Sequence, residues 1–69
     1  MKKEFTVIIE QEEDGNYVSE VPELSGCHTQ ANSLDLLMER TREAIMLCLE
    51  VNKGRTIKKN LVGIQRIAI

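Results

Sequence analysis

Leu34, Leu37, Met38, Thr41, Ile45, Cys48 and Leu49 recur at spacings of three and four, with Ala44 beside them. That is the mostly apolar stripe of one amphipathic helix. A helix with one such stripe must bury it against another layer. The chain has 69 residues, enough for one domain at most. The covering layer therefore has to come from the segments on either side of the helix.

Those segments read as strands. Phe5, Thr6, Val7, Ile8 and Ile9 are apolar or β-branched. Glu13-Asp14-Gly15-Asn16 supplies turn chemistry, with Gly15 free to take positive φ. From Asn16 to Val21 the chain resumes a strand, with Tyr17, Ser19 and Val21 on one face and Val18 and Glu20 on the other. The two runs predict a β-hairpin, closed by Pro22, which has no N–H to offer a ladder. Gly26 permits a sharp turn, and residues 27–30 are long enough for a short third strand.

Asn32 or Ser33 is placed to cap the helix. Asp35 favours its positive end and lies close to a capping-box position relative to Asn32. Lys53 is expected in the last turn and Gly54 at the position just beyond it. Residues 55–60 form a polar, basic connector. Residues 61–69, Leu-Val-Gly-Ile-Gln-Arg-Ile-Ala-Ile, predict a last strand, with a bulge at Gly63. The expected fold is α+β, in the order β-β-β-α-β. One helix would cover one face of a small mixed sheet, and a right-handed crossover would lay the last strand parallel beside the first.

Two aromatic residues, Phe5 and Tyr17, leave the core to Ile, Val, Leu and Met. A chain this short buries only about 60% of its unfolded surface. Extra burial from self-association is the simplest remedy, and a homodimer or higher homo-oligomer is expected. The candidate interface residues are Leu61, Ile64, Ile67 and Ile69 on the last strand, with Leu36 and Leu47 on the outer helix face. The strand edge is preferred, because an open apolar edge invites uncontrolled pairing.

Net charge is −2, but its distribution is uneven. Residues 10–23 carry Glu10, Glu12, Glu13, Asp14, Glu20 and Glu23 and no base; residues 51–69 carry Lys53, Arg55, Lys58, Lys59 and Arg66 and no acid. Such asymmetry can steer association with a basic partner, or pair one subunit with another. Glu12, Glu13, Asp14, Glu20 and Glu23 are the candidate partner-binding residues.

Catalytic and metal chemistry find little to work with. His28 is the only histidine, and its neighbour Cys27 would point to the opposite face of a strand, a poor arrangement for a Cys–His dyad. Cys27, His28 and Cys48 lack the paired spacing of a zinc site. The acidic turn at residues 12–16 lacks the alternating ligands and closing Glu of a calcium loop. Two cysteines are too few for a disulfide framework and read as reduced thiols. The expectation is a non-enzymatic protein with no metal and no cofactor. No apolar run approaches the roughly 18 residues of a membrane span, and Glu4 to Glu13 interrupt any signal-peptide core, so a cytoplasmic location is expected. Arg55, Lys58 and Lys59 keep open an alternative as a small RNA-binding protein, although no aromatic stands near them to stack on bases.

The runs Glu13-Asp14-Gly15-Asn16-Tyr17-Val18 and Glu20-Val21-Pro22-Glu23-Leu24-Ser25-Gly26-Cys27-His28-Thr29-Gln30, then the helix around Glu43-Ala44-Ile45, resemble the HicB antitoxin family. The resemblance covers nearly the whole chain as a single domain, residues 1–69. It implies a reduced RNase H-like unit in β-β-β-α-β order. It also implies a partner, a small HicA-like toxin that cleaves mRNA and whose active site the antitoxin masks; the catalytic histidine would be the toxin's. Many members add a C-terminal ribbon-helix-helix or helix-turn-helix domain that binds an operator. The 69 residues leave no room for one, so no DNA binding by this chain alone is expected. Leu36 and Met46 stand where the family helix is usually polar. A stand-alone homo-oligomer without a toxin is the other reading of the same features.

Overall fold

The computed structural model describes residues 4–55 and 59–69. The N-terminal Met1-Lys2-Lys3, Thr56 and Ile57 of the connector, and Lys58 of the basic cluster lie outside the described residues. Three strands, β1 (Ile8–Gln11), β2 (Tyr17–Glu20) and β3 (His28–Ala31), precede one helix, α1 (Leu34–Val51). The sheet is antiparallel in the order β1-β2-β3, and α1 lies across one face of it, mainly over β2 and β3.

Each connection follows from its residues. Gly15, at φ +92°, donates its N–H to Glu12 O, and Glu12 N–H donates to Asn16 O, closing the hairpin. Val21 N–H donates to Cys27 O at 2.9 Å, Leu24 N–H to Val21 O and Cys27 N–H to Leu24 O, so residues 21–27 fold into two successive turns. Gly26, at φ +72°, makes the second turn possible. These turns bury Val21, Leu24 and Cys27, and Phe5, Val7, Ala44, Ile45, Cys48 and Leu49 pack around them.

The first strand starts later than its composition suggests. Ile8 pairs with Glu20, and beyond Glu20 the chain turns inward, so residues 5–7 have no β2 residue opposite them. Thr6 N–H instead donates to the Glu23 carboxylate at 2.8 Å. At the helix start the cap is Ser33, whose Oγ accepts from Leu36 N–H at 3.2 Å. With Ser33 as the cap, Asp35 sits in the first turn and makes no capping box with Asn32. At the other end Lys53 falls beyond the helix, at φ +53°, and Gly54, at φ +75°, donates to Leu49 O.

Inside, Ser19 and Thr41 join sheet to helix through their hydroxyls at 2.7 Å, and both are buried. Thr41 Oγ1 donates its own proton to Leu37 O, so Ser19 must be the donor in the bridge.

The expected last strand is corrected. Among the described residues, 61–69 form no strand and no ladder, and no bulge exists at Gly63. Val62 is 98% and Ile67 84% exposed. Apolar, β-branched composition makes a strand only where a neighbouring strand supplies hydrogen bonds and a face to pack on. This segment finds neither within its own chain, so the sheet has three strands and the crossover is not made.

Candidate functional site

Among the described residues nothing covers the face of the sheet away from α1. Ser19 points to the helix, so by alternation Val18 and Glu20 point the other way. The register then aligns two rows across it: Ile8, Glu20 and His28, and Glu10, Val18 and Gln30. These residues line an open concavity of about 520 Å³. Ile8 and Val18 form a half-buried apolar floor, and Glu10, Glu20, His28 and Gln30 rise around it exposed. Directly opposed side chains in such a sheet lie about 4.5–5.5 Å apart at Cβ, so Glu20 and His28 are neighbours.

The sequence-derived acidic residues divide into three places. Glu12, Glu13 and Asp14 are exposed on the β1–β2 turn, where Asp14 accepts from Asn16 N–H at 2.9 Å and Asn16 Nδ2 at 3.1 Å. Glu20 stands at the far end of β2 on the uncovered face. Glu23 is half-buried and committed to Thr6 within the chain. Burial of the Glu23 carboxyl opposes its ionisation, but the backbone N–H groups of Thr6 and of Glu23 itself and the Thr6 hydroxyl outweigh it, and its pKa is lowered. The interface candidates also separate: Leu47 is exposed and Leu36 half-buried on the helix, while Leu61, Ile64, Ile67 and Ile69 are exposed on the C-terminal segment.

Glu10, Ile8, Val18 and Gln30 were missed as members of a common face. The signal was present: the hairpin register fixes which residues of β1 and β2 sit opposite, and alternation then selects these. His28 and Cys27 fall on opposite sides, as alternation demands, with Cys27 in the core. Burial, a hydrogen bond with the Cys48 thiol and that thiol's charge push the Cys27 pKa up to about 12, so it is a protonated core group and not a nucleophile. Both cysteines are free thiols. Among the described residues no cluster of His, Cys, Asp and Glu could hold a metal ion, and no helix is long and apolar enough to cross a membrane.

The fold and this surface define a class: a small one-helix α+β domain offering a shallow, acid-rimmed sheet face. A family model described as the HicB-like antitoxin of bacterial toxin–antitoxin systems matches residues 5–66, and the chain belongs to that family. It is 52% identical over 65 residues to a UPF0150 protein of Archaeoglobus fulgidus, an alignment covering 94% of this chain and 93% of that one. A UPF0150 protein of Synechocystis is 43% identical over 68 residues, covering 99% and 97% of the two chains. One from Thermoplasma acidophilum is 43% identical over 54 residues, 78% of each. No solved structure gives a significant match to the chain.

Proposed function

We propose that this chain is an antitoxin-type binding module that masks the active site of a small mRNA-cleaving toxin of the HicA kind. The observation that carries the reading is the antitoxin family match across residues 5–66. Charge supports it. A toxin that holds mRNA must offer cationic groups to the phosphates. Glu12, Glu13 and Asp14 on the turn, with Glu10 and Glu20 on the uncovered face, present the opposite sign and would compete for those groups. In this reading the hydrolytic chemistry belongs to the toxin, the complex acts where mRNA is, in the cytoplasm, and no helix-turn-helix is available among the described residues to read DNA.

The test is the association rate of the chain with such a toxin at low and high salt. The double variant Glu12→Lys/Glu13→Lys should associate about tenfold more slowly at low salt, and the gap should shrink as salt screens it. Equal rates for variant and wild type at low salt would show that the turn does not face the toxin.

A further inference from the structure

Two things in this molecule lack a partner, and they match. One is the segment 61–69. The other is the outer edge of β1, together with the helix flank above it.

The two edges of the sheet differ. On β3 the Arg40 guanidinium donates to Gln30 O at 2.8 Å, so a strand arriving there would have to displace it. On β1 no such side chain covers the edge among the described residues. The helix makes the same distinction. Side chains on α1 turn by about 100° per residue. With buried Leu37 and Thr41 at the centre of its face, Arg40 lies on one flank, and Met38, Ile45 and Leu49 lie on the other. Arg40 reaches β3, so the Met38 flank faces the β1 side. There Met38 is 46% exposed and Ile9, on the helix side of β1, is 43% exposed. The helix itself lies mainly over β2 and β3, so the helix side of β1 is left open.

We propose that residues 61–69 of a second copy fill this place, pairing along β1 beside the Met38 flank, and that two chains exchange these segments reciprocally. Alternation suits the placement. One side of the segment carries Leu61, Ile67 and Ile69, which would cover Ile9 and Met38. The other carries Val62, Ile64 and Arg66, which would extend the uncovered face beside Ile8. Arg66 is the one charge in residues 61–69. It would arrive next to Glu10 and Glu20, on a face that holds no Lys or Arg among the described residues. The extended segment also shows in the dimensions. The radius of gyration is 13.2 Å, whereas a compact chain of this length has roughly 11 Å.

The test is an isotope-filtered NMR measurement on dimers refolded from equal amounts of differently labelled full-length chains, with the mass followed by light scattering. The expected result is a dimer with intermolecular contacts between residues 61–69 and residues 5–11. Ile67→Lys should raise the dimer dissociation constant at least about tenfold with the helix signal in circular dichroism intact, because Ile67 lies outside the monomer core. A monomer at high micromolar concentration overturns the proposal. So does a dimer whose 61–69 contacts are all within one chain or on the Leu36–Leu47 side of the helix. Undiminished dimerisation of Ile67→Lys overturns it as well.

Discussion

Thr41→Val should destabilise the fold more than Ser19→Ala, although both break the same 2.7 Å hydrogen bond. The asymmetry follows from the proton. Thr41 Oγ1 donates to Leu37 O at 2.6 Å, so the bridge uses the Ser19 proton and the Thr41 lone pair. Valine has nearly the shape of threonine but accepts nothing. Ser19 is 3% exposed and its neighbour Thr41 2%, so the serine hydroxyl is then stranded in the interior. An unsatisfied buried hydroxyl costs about 1–3 kcal/mol. Ser19→Ala leaves Thr41 bonded to Leu37 and removes only the net bridge, about 0.5–1.5 kcal/mol. In the double variant no orphan remains, so its loss should fall below the sum of the two single losses. A chain this short has roughly 3–10 kcal/mol of stability in all, so Thr41→Val should lower the melting temperature by roughly 4–8 °C per kcal/mol. Urea unfolding followed by circular dichroism, at one fixed protein concentration, supplies the free energies. Strict additivity, or a Ser19→Ala loss equal to that of Thr41→Val, would refute the donor assignment.

Three further outcomes follow. Cys27 is held protonated to about pH 12 in the fold, while an unfolded thiol ionises near pH 8.5. The unfolded state therefore binds fewer protons above that pH, and stability should fall with a slope approaching 1.4 kcal/mol per pH unit. Urea midpoints measured up to about pH 10.5 should show a steeper fall for wild type than for Cys27→Ala; parallel curves would contradict the burial argument. Glu23 has its pKa lowered, so it adds stability above the ordinary carboxylate range that is lost as pH falls through its folded value. Acid titration of Glu23→Gln should show a flatter loss than wild type, and an identical acid limb would show that the Thr6 contact contributes nothing. Gly26→Ala meets no atom within 4 Å but places a Cβ at φ +72°; it should cost about 1–2 kcal/mol in urea unfolding from the left-handed backbone alone.

What the sequence revealed and what it hid have separate physical causes. The stripe from Leu34 to Leu49 and the Asp14-Gly15 turn are local signals, and the helix and hairpin formed where they pointed. Gly26 points to a turn in residues 21–27, but only the backbone bonds show why Leu24 is buried there and why the first strand begins no earlier than Ile8. Residues 61–69 misled because strand composition is a statement about burial, and burial depends on a neighbour that sequence does not name. The uncovered face was half legible. Glu20 stands out by its charge, whereas Glu10, Val18 and Gln30 join it only through the register. Arg40 was invisible as an edge cover, since nothing local tells a helix arginine that a strand carbonyl lies within reach.

The central claim is that this chain neutralises an RNA-cleaving toxin by occupying its active site. The direct measurement is cleavage of a synthetic mRNA by a HicA-like toxin, titrated with the 69-residue chain. The account predicts that cleavage declines in proportion to the chain added and reaches background near molar equivalence. Cleavage that persists undiminished at about tenfold excess of the chain would contradict it.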